Sequence, residues 1–229
     1  MEAQLPVLLA LFFIATVLAT LVYFYLATRS NLLIGLSVLW LVVQGLAAWS
    51  GFYEMTDGLP PRFALVVIPP MLLIVLAFTL PTGRRWLDSL DKSWLTWLHV
   101  VRVPVELTLY FLFLHGLVPE LMTFTGRNLD ILSGITAPLI AWYGYKHHYL
   151  DRRGILIWNF MCLALLLNIV INAALSAPFD LQQQAFDQPN RAVLYFPYLW
   201  LPGFVVPVVL FSHLVCIRAL WRGDEWKVG

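Results

Sequence analysis

Seven apolar runs of about twenty residues follow one another along the chain, with short polar connections between them. A helix needs about 20 apolar residues to cross a bilayer core of roughly 30 Å, so each run is long enough to span a membrane. The runs lie at residues 5–27, 32–53, 63–82, 95–117, 128–146, 155–176 and 194–217. Because backbone polar groups need partners inside a bilayer, the pattern predicts an all-α, polytopic integral membrane protein, a bundle of seven transmembrane helices.

The composition leaves little room for a separate soluble domain. Of the 229 residues, 61% are hydrophobic and 12% are charged, whereas soluble domains have about 45–50% apolar and about 25% charged residues. We therefore expect a single transmembrane domain over residues 1–229. Glu2 stands where a signal peptide carries positive charge, so we expect the first run to be a retained span. The net charge of +1 offers no basic field for nucleic acid, which we do not expect as a partner.

Lysine and arginine divide unequally between the two sides of the predicted bundle. One side carries Arg29, Arg84, Arg85, Lys92, Lys146, Arg152, Arg153, Arg218, Arg222 and Lys227, and the other carries Arg62, Arg127 and Arg191. The richer side is cytoplasmic by the positive-inside rule, which places the N-terminus outside and the C-terminus inside. We expect the chain to lie in a plasma membrane of the bacterial, inner-membrane type.

The fourth run carries polar residues into the predicted bilayer. At about 100° per residue, His99, Arg102, Glu106 and Tyr110 share an arc of about 80° on one helix face. A charge at the bilayer centre costs at least about 2.5 kcal/mol, so this polar stripe must face protein or water. Two interpretations follow. Either Arg102 and Glu106, one turn apart, form a buried pair that fixes packing, or the stripe lines a cavity and binds a ligand.

Other helices offer polar residues at similar predicted depth. These are Gln44 in the second run and Asn168 and Asn172, one turn apart, in the sixth. We expect them to join the stripe in one buried polar cluster, although hydrogen bonds that simply hold helices together are an ordinary alternative for the asparagines.

The predicted external connections hold a second set of candidate residues. This outer rim consists of Glu54, Arg62, His115, Glu120, Arg127, Asp130, Asp187 and Arg191. Each external arginine has an acid nearby in sequence, so separate surface ion pairs are the alternative to one outward-facing site. The longest connection, 176–198, is rich in aromatic residues, and we expect it to fold over the helix ends as a cap.

No motif in the sequence specifies a catalytic chemistry. The chain has no G-x-S-x-G, H-E-x-x-H, C-x-x-C or phosphate-binding loop. The residue types would suit haem held by His99 and His213. They would also suit zinc held by some of His115, Glu120, Asp130 and Asp187. In neither set does the spacing in the sequence require the residues to come together. We therefore predict neither a cofactor nor a metal. Cys162 and Cys216 fall inside predicted helices, where we expect buried thiols without a disulfide.

The functional hypothesis from sequence is a binding protein without enzymatic activity. It would bind a small molecule or lipid, apolar or amphipathic, in a polar-lined cavity open to the outside, as a receptor, carrier or assembly subunit. Membrane lipid is its expected partner. The alternatives are an intramembrane enzyme acting on a lipid or isoprenoid, with Glu106 or His115 as general acid or base, and a metal- or haem-binding membrane protein.

Overall fold

A computed structural model describes residues 7–56 and 60–223, so Glu2 and Lys227 lie outside the described residues. In these ranges all regular structure is helical. The α-helices are α1 (Val7–Thr28), α2 (Asn31–Trp49), α3 (Ala64–Thr79), α4 (Pro81–Ser89), α5 (Lys92–Leu98), α6 (Arg102–Leu114), α7 (Ile131–Ile140), α8 (Arg152–Ser176) and α9 (Val206–Arg222). Single 3-10 turns occur at His99–Val101, Glu120–Met122 and Ala192–Leu194, and π-helical segments at Ala141–Lys146 and Leu201–Val205.

Five helical stretches are long and apolar enough to cross a membrane. They are Val7–Thr28, Asn31–Trp49, Lys92–Leu114, Arg152–Ser176 and Leu201–Arg222. The pair α3 and α4 makes a sixth if the two bent helices are counted as one span. The prediction of an all-helical chain with several helices that could span a membrane is thus confirmed for the described residues, whereas the predicted count of seven spans is not.

The third predicted span, 63–82, is broken near its end. Helix α4 leaves α3 at an angle of 92°. Leu80 is extended and Pro81 opens the new helix, because the residue before a proline avoids helical geometry whereas proline itself suits a first helical turn. Gly83 makes the bend possible, since a Cβ there would overlap the Ala77 carbonyl.

The fifth and seventh predicted spans begin later than expected. Residues 128–130 form a non-helical approach to α7, and residues 195–200 are mostly turns before the π-helical segment Leu201–Val205. Proline again explains the local geometry: Pro207 has no N–H to bond the Gly203 carbonyl one turn earlier. The indole of Trp40 donates to that carbonyl instead, at 2.9 Å, and ties α2 to the π-helical segment.

Helix α9 forms the centre of the bundle. It packs against α5 and α8, while α1 covers α5 and α6. Helices α2 and α3 are peripheral: each reaches the segment Leu201–Val205, but they have little direct contact with one another. The core of the molecule therefore lies among α1, α5, α6, α8 and α9, with α2 and α3 as two outer walls.

The long connection before α9 folds over the helix ends, as predicted from its aromatic content. The Gln188 side chain donates to the carbonyls of Phe113 and Val118 at 2.9 and 2.6 Å, and the Arg191 backbone N–H donates to Leu117. Within the connection, Val193, Leu194 and Tyr198 are themselves buried. Hydrogen bonds to backbone carbonyls and the burial of apolar side chains both hold this segment, so it forms a fixed cap.

Candidate functional site

The buried polar cluster is built around Arg102, the first residue of α6. Its guanidinium binds Asp130 through two parallel bonds, Nε to Oδ2 at 2.6 Å and Nη2 to Oδ1. Arg102 and Asp130 are only 2% and 4% exposed. A planar guanidinium matches a carboxylate in this two-bond geometry, and the pair neutralises both charges inside the bundle.

Glycine brings the two partners together. Asp130 lies just before α7, and Gly134 follows it by four residues, so both lie on the same helix face. A Cβ on Gly134 would stand 2.7 Å from the Val103 side chain and 2.9 Å from the Val103 backbone nitrogen. Only a residue without a side chain permits this close approach of α7 to α6, which sets Asp130 beside Arg102.

The same guanidinium reaches α8 and α9. Its Nη2 donates to the Cys162 carbonyl at 3.0 Å, and its Nη1 contacts Nε2 of His213 at 2.9 Å. The other ring nitrogen of His213, Nδ1, lies 3.0 Å from Oδ1 of Asn159. Since arginine has only donors, Nε2 of His213 must accept, and Nδ1 must donate to Asn159. The network therefore fixes His213 in one neutral tautomer.

His99 and Glu106 complete the cluster with unmatched polar atoms. The ring of His99 stacks on His213 with centroids 3.9 Å apart, and neither of its nitrogens has a hydrogen-bond partner among the described residues. Glu106 accepts from the Asn128 amide at 2.5 Å through Oε1, while its Oε2 is buried without a partner in the described part of the chain. Asn128 also donates to the Met122 carbonyl and accepts from the Asp130 backbone N–H, which orders the approach to α7.

The pairing of Arg102 with Glu106, one of the two interpretations of the stripe, is not observed. Arg102 binds Asp130 across the helix interface instead, and the Glu106 carboxylate accepts from Asn128. Asp130, predicted at the outer rim, therefore belongs to the buried cluster. The shared helix face of His99, Arg102 and Glu106 is confirmed as buried.

The other predicted members of the cluster lie elsewhere. Gln44 is buried, but its Oε1 accepts from the Tyr53 hydroxyl at 2.5 Å, near the C-terminal end of α2. Asn168 donates to the Arg127 carbonyl, and Asn172 bonds Asn168 and receives the Gln184 amide beneath the cap. The asparagines thus tie the connections before α7 and α9 to α8, which agrees with the alternative of a purely structural role. Tyr110 is partly exposed and stacks on Phe124, with ring centroids 5.0 Å apart.

The remaining residues of the predicted outer rim form no common site in the contacts of the described chain. Their acids, Glu54, Glu120 and Asp187, are exposed, as are Arg127 and Arg191. His115 bonds the Phe111 carbonyl of its own helix, and Arg62 lies over the Phe52 ring at 4.7 Å. Among the described residues, the ion pairs are Arg102–Asp130, Arg218–Asp88 and Arg222–Asp88, so Arg62, Arg127 and Arg191 form none there. Asp57, the acid next to Arg62 in the sequence, lies outside the described residues, and pairing with it stays a prediction.

The arrangement of the histidines does not fit haem. Two axial histidines must point nitrogens at each other across a porphyrin, but His99 and His213 are stacked face to face, tilted by 22°, and both nitrogens of His213 have protein partners. Nor do His115, Glu120, Asp130 and Asp187 converge on a metal. Across residues 7–56 and 60–223, no three or more His, Cys, Asp or Glu side chains are placed to hold one.

A separate apolar groove lies between the outer walls of the bundle. Its volume is about 610 Å³, and none of His99, Arg102 and Glu106 lines it. Its residues come from α2, α3, α4, the π-helical segment Leu201–Val205 and α9, with Phe24 of α1, and nearly all are apolar. Gly203 and Pro207 form its floor, and Pro69 and Pro70 stand in the α3 wall. Gly203 is required there, because a Cβ would come within 2.9 Å of Val66 on α3. Trp86 of α4 also lines it.

Sequence reasoning did not find several partners that define these sites. Asn128 and Asn159 are buried in the cluster, and Trp40 links α2 to the groove floor. Asn159 had a usable signal, since it lies inside an apolar run, as His213 does, on the same predicted cytoplasmic half. Asn128 had none, because its position depends on the turn before α7.

A family model described as Domain of unknown function (DUF8737) matches residues 57–221, more than half of the chain, so the chain belongs to that family. The match includes α3 to α8 and nearly all of α9, and with them the polar cluster, whereas α1 and α2 precede it. No curated protein and no solved structure matches the chain.

Proposed function

We propose that this member of the DUF8737 family is an integral membrane protein that binds the apolar chain of a lipid in the groove between α2 and α3. The observation that carries the proposal is the groove itself: about 610 Å³ of apolar space at the side of a bundle. This volume falls within the roughly 300–1,000 Å³ of ordinary ligand sites. A groove with apolar walls binds acyl chains by shape and dispersion. The protein therefore needs no catalytic residues to act as a receptor, carrier or assembly subunit.

The groove is a better binding site than the polar stripe for a physical reason. Arg102 already has a carboxylate, a histidine nitrogen and a carbonyl as partners. A ligand entering there would have to break an ion pair that is almost wholly buried, at a cost of several kcal/mol. The groove demands no such exchange, because its lining residues have few polar groups to satisfy.

We extend the proposal to the topology. Seven segments would cross the membrane, with the N-terminus outside, in a plasma membrane of the bacterial, inner-membrane type. The short segment 131–146 and the bent α3 would count as spans. Helix α4, at 92° to α3, would then lie along the cytoplasmic surface, where arginine is favoured. The groove runs from Val43, Pro69 and Gly203 toward Leu33, Ala77 and Trp86, which would place it in the cytoplasmic leaflet.

Native mass spectrometry of the purified full chain, reconstituted with phosphatidylcholine and then released in mild detergent, tests lipid binding. We expect about one retained lipid. Leu73→Trp on α3 and Ser37→Trp on α2 place an indole in the groove, so each should reduce the retained lipid at least tenfold, since an inserted ring occupies the space of the chain.

Leu72→Trp is the matched control. Leu72 neighbours Leu73 on α3 and is also exposed, but it does not line the groove. This variant should retain lipid as the wild type does. Equal lipid retention by Leu73→Trp, Ser37→Trp and Leu72→Trp would show that any bound lipid is distributed over the surface, and the proposed function would be wrong.

A further inference from the structure

Helix α4 has the features of a helix that lies at a membrane surface. Its inner face carries Leu87, which is buried, and Trp86, which lines the groove and stacks on Phe211 with centroids 5.6 Å apart. Its outer face carries Arg84 and Arg85, both exposed. Aromatic residues on one face and arginines on the other are typical of helices that lie in the interface between headgroups and acyl chains.

The acid on this helix is already neutralised. Asp88 receives Arg218 at 2.9 Å and Arg222 at 3.2 Å, both from the end of α9. Arg84 and Arg85 take part in none of the ion pairs of the described residues. The result is a surface with two exposed positive charges one or two residues from Trp86, which lines the apolar groove. A helix rises about 1.5 Å per residue, so along the axis of α4 the two charges lie within about 3 Å of this lining residue.

We propose that the ligand of the groove is an anionic phospholipid, with one acyl chain between α2 and α3 and its phosphate against Arg84 and Arg85. This inference rests on the proposed function of the groove. Charge complementarity selects the headgroup: a net negative lipid gains from both arginines, whereas the ammonium of a zwitterionic lipid is repelled by them. Each basic residue near a membrane surface contributes about fivefold to anionic lipid binding, so two should give a preference of roughly 25-fold.

The test is competition in one membrane. The full chain is reconstituted in nanodiscs with equal amounts of phosphatidylglycerol and phosphatidylcholine of identical acyl chains, and the retained lipid is identified by native mass spectrometry. Wild type should retain mainly phosphatidylglycerol. The variant R84Q/R85Q should still retain one lipid but with a ratio near one. R84K/R85K keeps both charges and should keep most of the preference, which separates lost charge from a folding defect.

The control is R127Q/R191Q, which removes two exposed arginines from the opposite, cap side of the chain. Its preference should equal that of wild type. If wild type has no preference, or R84Q/R85Q keeps it, the headgroup assignment is wrong while lipid binding in the groove stands. If Leu73→Trp retains as much lipid as wild type, the groove proposal itself is wrong. If excess glycerol phosphate abolishes the preference, the arginines recognise a free phosphate, and the phospholipid assignment fails.

Discussion

Replacing Asp130 by asparagine should destabilise the folded chain by about 3–5 kcal/mol, the usual cost of leaving one member of a buried ion pair without its partner. The structure gives the reason. Asp130 accepts two bonds from Arg102, and both residues are almost completely buried. Asparagine keeps one acceptor oxygen, but its amide nitrogen would face a guanidinium N–H. The positive charge of Arg102 would then lie in the bundle with no negative partner.

The assay is equilibrium unfolding of the purified protein in mixed micelles, followed by circular dichroism as the denaturing detergent increases. Asp88→Asn is the matched control, since it makes the same change in an ion pair at the surface. The Asp88 side chain is 38% exposed, so solvent screens its two arginines, and the loss should be about 0–1 kcal/mol. The prediction is therefore a difference of at least about 2 kcal/mol between two identical substitutions.

A double variant separates charge from packing. Arg102→Met with Asp130→Leu replaces both charges by apolar groups, and buried pairs exchanged in this way often lose little stability. It should be clearly more stable than Asp130→Asn. The reasoning is refuted if Asp130→Asn costs no more than Asp88→Asn, or if the double variant is the least stable of the three.

Two further predictions concern hydrogen bonds made by side chains. Glu106→Gln should change stability by less than about 1 kcal/mol, because the amide oxygen can still accept from Asn128. Glu106→Leu should cost about 1–3 kcal/mol, because the Asn128 amide would lose this acceptor. The same unfolding assay measures both variants, and equal losses would contradict the hydrogen bond between Glu106 and Asn128. Gln188→Ala removes two hydrogen bonds that hold the cap and that together contribute about 2 kcal/mol. Trypsin should therefore cut after Arg191 roughly 30-fold faster. The control is Gln183→Ala, which changes an exposed residue of the same connection and should leave the cleavage rate unchanged.

The helical spans could be predicted because their signal is local. A long run of apolar residues by itself indicates a helix in an apolar environment. Most of the expected boundaries accordingly fall within a few residues of the observed helices. Several errors occur where a proline changes the backbone direction. Pro81 ends one helix and starts another, and a hydropathy pattern, which reports how apolar each residue is, contains no information on the 92° change of direction. Gly83 permits the bend because it has no Cβ, and its hydropathy does not indicate this role.

The polar cluster was predictable in part for the opposite reason. A charge in an apolar run must have a partner, so the burial of Arg102 and Glu106 follows from the sequence. The identity of the partner does not, because it depends on where another helix begins. Asp130 was assigned to the surface since it lies at the end of a polar connection, but Gly134 lets α7 approach so closely that the carboxylate enters the bundle. Contacts between helices, rather than spacing within one, decided the pairing.

The cluster and the groove also have complementary mechanical roles. Arg102 binds groups from α8, α9 and the approach to α7, so these helices cannot separate from α6 without exposing a charge. Helices α2 and α3 contribute nothing to that network. They reach the bundle through contacts such as the Trp40 indole on the Gly203 carbonyl, which costs far less to break than a buried ion pair. A ligand that widens the groove would therefore move the two outer walls and leave the polar core unchanged.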